Sequence, residues 1–273
     1  MKSEYKLTIA VLTRNRAKQM YQAIKSCLAS KLPTQTQFVV VNNASTAVDE
    51  YKHIIGVLRN NIAYDFIYEK LPENKGVGGG RNVCFDLAKG EYVYFLDDDA
   101  EIAPECYQTF FVEALQYLDK NQNVMTLTTK IEDNVFGRRN PAVAKTLQVD
   151  KLSCVYAFQG GSTFFRRKYF MSPLFMDIMY GHEEIPVAMS VLDAGYSNVY
   201  MPDIFINHLP MVDKWKLDHD KISVHGINNL YAIKILLYPK VFRILLFAAY
   251  KLRMKNCKIR NKAVIKEEKK SRK

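Results

Sequence analysis

Three adjacent carboxylates, Asp97, Asp98 and Asp99, follow directly on the apolar run Tyr92-Val93-Tyr94-Phe95-Leu96. Neighbouring anions repel strongly unless a cation lies among them. On an extended strand alternate side chains share a face, so Asp97 and Asp99 can address one divalent cation, Mn²⁺ or Mg²⁺, which would neutralise a diphosphate. A solvated acidic turn has the same composition, but it lacks the apolar strand in front. The segment Asn74-Lys75-Gly76-Val77-Gly78-Gly79-Gly80-Arg81-Asn82 precedes a helical stretch. Glycines let backbone approach a ligand closely, and a helix N-terminus favours an anion. Arg81 suits a diphosphate or sugar contact, or an internal salt bridge. The spacing is not a dinucleotide-binding fingerprint, because Arg81 stands where the third glycine belongs, and no Gly-Lys-Ser/Thr phosphate loop exists. Gly181-His182-Glu183-Glu184 opens a further helix. The helix dipole stabilises acids there, and either carboxylate would serve as general base if it faced a substrate hydroxyl. His208 is a core or surface imidazole or, through its neutral nitrogen, a metal ligand.

Something must gather these groups. In the first hundred residues, β-rich runs at Leu7–Leu12, Phe38–Val41, Asp65–Tyr68 and Tyr92–Leu96 read as strands buried on both faces. Helical stretches at Ala17–Ser30, Val48–Asn60 and Val77–Lys89 lie between them. The alternation predicts an α/β fold with a mostly parallel central sheet flanked by helices, whose ligand site gathers at the carboxyl ends of the strands. Polar motifs follow the strands accordingly: Thr13-Arg14-Asn15-Arg16, Asn42-Asn43-Ala44-Ser45-Thr46 and Asp97-Asp98-Asp99. Beyond residue 100 the pattern predicts a helix over Pro104–Lys120, strands over Val124–Lys130, Gly161–Arg166 and Tyr196–Tyr200, and a helix over Glu183–Ala194. Asp133–Val149 reads as irregular, and Asp133 to Phe158 as a frame for the acceptor. From Lys221 onward the chain reads as amphipathic helices and a polar tail. The expected organisation is one domain over 1–220, with a nucleotide-binding half to about 100 and an acceptor half beyond, then a helical extension over 221–273.

With 273 residues, 48% of them hydrophobic and 12% aromatic, the chain can build a packed core, and global disorder is excluded. The five cysteines form no CxxC pair, which argues against a disulfide framework or zinc cluster and for a reducing, cytoplasmic setting. The opening residues show no signal-like apolar segment. The greasy region Leu230–Tyr250 is broken by Lys234, Pro239, Lys240 and Arg243, poor material for a membrane span. The formal charge is +11, of which residues 251–273 carry +9 through eleven Lys or Arg and two Glu. Such a tail attracts anionic surfaces. With a nearly neutral remainder, a nucleic-acid-binding face is not expected. An in-plane anchor on an anionic inner leaflet is, which makes the protein cytoplasmic and peripheral at the inner face of the membrane.

Taken in order, Thr-Arg-Asn-Arg (13–16), Val-Asn-Asn-Ala-Ser-Thr (41–46), the glycine segment (74–82), Phe-Leu-Asp-Asp-Asp (95–99), Gly-Gly-Ser (160–162), Glu-Glu (183–184), Asp-Ala-Gly-Tyr (193–196) and Pro-Asp followed by His208 resemble the family 2 glycosyltransferases of the GT-A fold. The resemblance spans roughly residues 7 to 210 and is close to bacterial enzymes of cell-surface polysaccharide synthesis, rhamnosyltransferase-like members included. It implies a nucleotide-sugar pocket of Thr13, Asn15, Arg16, Asn42, Asn43, Asn74, Gly76, Arg81, Asp97 and Asp98. It also implies a metal held by Asp99 with Asp97 and His208. Asn42 stands where the family often has Asp, which leaves UDP and dTDP donors both open. Glu184 matches the Asp of the usual Glu-Asp pair and is the favoured base, with Glu183 the alternative. The implied reaction is single displacement with inversion onto a glycan or polyprenyl-linked acceptor. A sugar nucleotidyltransferase would need a Gly-rich signature after the first strand, where Thr-Arg-Asn-Arg stands instead. A catalytically inactive nucleotide- or glycan-binding relative is the other alternative.

Overall fold

A computed structural model of the chain describes residues 3–133, 141, 143–210 and 212–271. Its first half is the alternation read from the sequence: β1 (Tyr5–Thr13), α1 (Ala17–Ala29), β2 (Thr36–Asn42), α2 (Val48–Asn61), β3 (Asp65–Lys70), α3 (Gly76–Leu87) and β4 (Gly90–Asp97). These strands lie parallel in the order β3-β2-β1-β4. Leu12 sits opposite both Val41 and Asp97, so the polar motifs after β1, β2 and β4 emerge at one edge. Pleating divides the apolar side chains between two faces. Leu7, Ile9, Val11, Phe38, Val40, Tyr92 and Tyr94 pack with residues of α1 and α2, whereas Ala10, Val39, Val41, Val93 and Phe95 pack with Cys84 and Phe85 of α3. β3 departs from the expectation of burial on both faces: it is the edge strand, and Asp65, Glu69 and Lys70 are exposed.

The second half extends the same sheet. β5 (Ala100–Ile102), α4 (Phe110–Lys120), β6 (Val124–Glu132), β7 (Val143–Val149), β8 (Leu152–Val155), β9 (Ser162–Arg166), α5 (Ile185–Asp193) and β10 (Ser197–His208) complete the order β3-β2-β1-β4-β9-β6-β10-β8-β7, with β5 paired to β10. Parallel pairing is confined to the first four strands and to β6 with β10. β9 runs antiparallel between β4 and β6, so the sheet is mixed. Three readings are corrected. The helix over Pro104–Lys120 is a 3-10 turn at Pro104–Cys106 followed by α4. Part of the supposedly irregular stretch is β7, while 134–140 and 142 lie outside the described residues. The short strand at Tyr196–Tyr200 runs on to His208. It passes Pro202, which cannot donate to the ladder, through a register shift between Met201 and Phe205.

After β10 the chain forms α6 (Val212–Leu237), a 3-10 turn at Lys240–Phe242 and α7 (Arg243–Ser271). The side chain of Trp215, a candidate for stacking on a sugar, lies outside the described residues.

Arg166 fixes the join between halves. Its guanidinium is fully buried and donates to Tyr92 Oη (2.8 Å), to the Val124 carbonyl (3.2 Å) and to the carbonyls of Leu118, in the last turn of α4, and of Asn121, its C-cap. A cation there satisfies the C-terminal carbonyls of that helix. Arg166→Met is expected to lower unfolding free energy by about 2–4 kcal/mol, since several buried acceptors lose their donor. Urea denaturation reads this as a lower midpoint, and an unchanged midpoint contradicts it.

Candidate active site

The carboxyl ends of β1 and β4, the start of α3 and the 159–184 segment wall a cleft of about 910 Å³. Thr13, Asn15, Arg16, Asn43, Asn74, Gly76, Arg81, Asp97, Asp98, Asp99, Glu183, Glu184 and His208 all line it. Asn42 does not. It is buried at the end of β2, where its Nδ2 donates to Tyr68 Oη (2.8 Å) and its Oδ1 accepts from Ser45 N (2.8 Å). Several neighbours also brace loops. Asn15, in the left-handed region at φ 57°, accepts from Thr46 N (2.8 Å), and Thr13 Oγ1 lies 2.7 Å from Tyr51 Oη. Asn43 joins β2 to α3 by donating to the Gly76 carbonyl (2.9 Å) and accepting from Lys75 N (2.9 Å).

Asp97 is the last residue of β4, while Asp98 and Asp99 lie in the turn to β5. Asp97 and Asp99 therefore converge through a turn, and strand alternation was the wrong reason for expecting it. The antiparallel pairing of β5 with β10 sets His208 opposite Ala100, and Leu209 N donates to the Asp99 carbonyl (2.7 Å). One ligand atom from each of Asp97, Asp99 and His208 falls within 4.8 Å of the others. His208 Nδ1 is 2.8 Å from Asp133 Oδ2 and its Nε2 is 3.4 Å from Asp99 Oδ1. A proton on Nδ1, held by Asp133, leaves the Nε2 lone pair facing the acids, which is the tautomer a metal ligand needs. Two carboxylates and one oriented imidazole suit a divalent cation such as Mn²⁺ or Mg²⁺. Asp133 was not singled out as a site residue. Its only sequence signal was its place at the end of a strand.

Two guanidiniums hold the remaining acids. Arg16 Nη1 donates to Asp98 Oδ1 (2.9 Å) and Asp99 Oδ2 (2.7 Å). Burial nevertheless pushes the Asp98 carboxyl up to about 6, against the pull of Arg16 and with help from the charge on Asp99. Arg81, itself buried, donates through Nη2 to Asp97 Oδ1 (2.8 Å) and through Nη1 to Glu183 Oε1 (2.6 Å). Of the two roles open to Arg81, the structure contains the salt bridge. The other oxygen of Glu183, Oε2, is buried without a hydrogen-bond partner among the described residues. Glu184, at the N-cap of α5, forms no ion pair among the described residues. Burial, reinforced by the charge on Glu183, pushes its carboxyl up to about 7.

The glycines have reasons that local sequence hides. A Cβ on Gly160 would lie 2.1 Å from Arg81 Nη1, and one on Gly161 2.0 Å from Asp97 Oδ2. A Cβ on Gly78 would fall 1.9 Å from the Met176 carbonyl oxygen. Val77 N and Gly78 N donate to the carbonyls of Met179 (3.0 Å) and Ile178 (3.3 Å). At this helix start the glycines admit another stretch of chain. Those two N–H groups are not open to an anion, which corrects that expectation.

The fold places the molecule among the GT-A transferases. Mannosyltransferase PcManGT from Pyrobaculum calidifontis, solved with GDP-Man and Mn²⁺, superposes with a TM-score of 0.61 at 19% identity, covering 90% of this chain and 69% of that one. S. aureus TarS 1-349 in complex with UDP-GlcNAc gives 0.57 at 20% identity, covering 91% and 72%. Residues 8–175 match the model for glycosyl transferase family 2, and the chain belongs to that family. WcaA of Escherichia coli (strain K12), named for glycosyl transfer in colanic acid biosynthesis, is 28% identical over 116 residues, which are 42% of this chain and 40% of WcaA. The match thus spans less than half of that relative.

Asp133→Asn is expected to weaken Mn²⁺ binding by about 10- to 100-fold by releasing the imidazole from its orienting partner. Titration calorimetry with Mn²⁺ alone measures this, and an affinity equal to that of the parent protein removes His208 from the ligand set.

Proposed function

We propose that the protein is an inverting, metal-dependent glycosyltransferase, moving a sugar from a UDP- or dTDP-linked donor to a hydroxyl of a glycan or polyprenyl-linked acceptor in bacterial surface polysaccharide synthesis. The observation that carries this reading is the unequal state of two adjacent glutamates in the cleft that holds the acidic cluster. Glu183 is paired with Arg81, whereas Glu184 forms no ion pair among the described residues and burial pushes its carboxyl up to about 7, against the pull of Arg81. A carboxyl so poised can take a proton near neutral pH.

In this reading Asp97, Asp99 and His208 would hold the cation, which when bound supplies positive charge against the departing nucleoside diphosphate. The imidazole favours Mn²⁺ over Mg²⁺, because magnesium prefers an all-oxygen shell. Thr13, Asn15, Arg16 and Asn43 wall the nucleoside end, with Asn74 and Gly76 beside them. Asn42 acts indirectly, by holding the Ser45 turn whose hydroxyl accepts from Asn15 N. Glu183 keeps Arg81 in place, and its unpartnered Oε2 is suited to accept a hydrogen bond from a sugar hydroxyl. Glu184 removes the acceptor proton as the acceptor oxygen bonds to the anomeric carbon. The bond from that carbon to the diphosphate oxygen breaks on the opposite face, which inverts the centre.

Nucleoside diphosphate release from UDP- and dTDP-sugars, assayed with Mn²⁺ and an acceptor, tests the reading. Glu184→Gln is expected to lower kcat by about 10²–10⁴-fold without changing the thermal unfolding midpoint. The base works only when deprotonated, so kcat/KM should climb with pH and level off above about 7. Near-parental turnover by the variant, or a flat profile from pH 5 to 8, removes Glu184 as the base.

A further inference from the structure

Every residue from Leu236 to Leu245, across the end of α6, the 3-10 turn and the start of α7, is exposed. Ile244 is 82% exposed, Val241 77% and Leu236 70%. The exposure runs round the whole tip of the hairpin and is not confined to one helical face. Soluble proteins rarely leave a contiguous apolar surface of this kind unless something covers it. The base of the hairpin, by contrast, is tied down. Asn229 Nδ2 donates to the carbonyls of Tyr180 (2.8 Å) and Gly181 (3.3 Å), Ile233 is fully buried, and Tyr231 stacks on Tyr250 with ring centroids 4.5 Å apart.

Charge identifies the occupant. Residues 221–266 contain eleven Lys or Arg and no Asp or Glu, so this segment alone accounts for the chain's formal +11. Residues 1–220 balance to −2. Lys234, Lys240, Arg243, Lys251 and Arg253 surround the apolar tip in sequence. No helix of the described residues is long and apolar enough to cross a membrane. We infer that the hairpin tip is a docking surface for an anionic lipid bilayer, with Leu236 to Phe247 entering the headgroup region and the basic residues meeting lipid phosphates. All-round exposure makes the tip the apolar contact, in place of an in-plane helix face. Two such hairpins repel each other, which disfavours a second copy of the chain as the cover. A nucleic acid would satisfy the cations but leave the aliphatic side chains in water. The docking does not depend on the reading of the cleft, and its test needs no substrate.

The test is co-sedimentation of the full chain with sucrose-loaded vesicles of phosphatidylcholine alone or of equimolar phosphatidylcholine and phosphatidylglycerol. Binding is expected to the anionic vesicles and to fall as salt rises. Combined Val241→Ser, Ile244→Ser and Leu245→Ser should weaken it about a hundredfold. Lys240→Gln with Arg243→Gln should weaken it about fivefold per charge removed. These positions are exposed, and unchanged thermal unfolding midpoints verify that the variants fold. Equal binding to both vesicle types, parental affinity in the triple-serine variant, or light scattering that shows a dimer abolished by the same serines overturns the inference.

Discussion

Mutual repulsion among acids that share one cleft is the constraint around which the molecule is arranged. Asp97, Asp98, Asp99, Glu183 and Glu184 all line it, and Asp133 stands behind. Two unit charges 4 Å apart interact by about 4 kcal/mol at the effective dielectric of a protein surface. A few such pairs left uncompensated would rival the whole stability of a domain, about 5–15 kcal/mol. The counter-charges therefore come from within. Arg16, at the start of α1, spans Asp98 and Asp99, and Arg81, in α3, spans Asp97 and Glu183. Arg16 is the N-cap of α1, just past the end of β1, and Arg81 lies midway along α3, so the parallel βα units are what deliver positive charge to the acidic corner.

The same arrangement separates two neighbouring glutamates chemically. Glu183 and Glu184 differ in sequence only by position, yet one is buried and clasped by a guanidinium and the other is half-buried beside its charged neighbour. Their partners differ, and burial raises the Glu184 carboxyl. Glycine at 160 and 161 makes this possible, because a side chain there would displace Arg81 or Asp97.

Local pattern made the first half legible. Buried strands alternate with helices there, and Thr13, Asn43 and Asp97 reach one edge because parallel strands end together. The acids, both glutamates and His208 were readable as residues, but their connections were not. Arg81 meets Glu183 across 102 positions, and His208 meets Asp133 across 75. Asp133 depends on the parallel pairing of β6 with β10, and Asn42 turned inward because Tyr68 on the neighbouring strand holds it. β7 and β8 form a local antiparallel hairpin that joins the sheet only through the distant β10, and Pro202 with its register shift hides the continuity of β10, which pairs in parallel with β6. The glycines before α3 invited a ligand reading, since the backbone that fills the space comes from a segment a hundred residues downstream.

The charge division between body and hairpin bears on how copies of the molecule behave toward one another. A body of net −2 has little long-range repulsion to keep it dispersed, whereas the appended residues 221–273, at +13, supply it. The hairpin is then the chain's own colloidal stabiliser. A shortened version ending near residue 220 would sit close to its isoelectric point at neutral pH and be prone to self-association, even with every cleft residue intact.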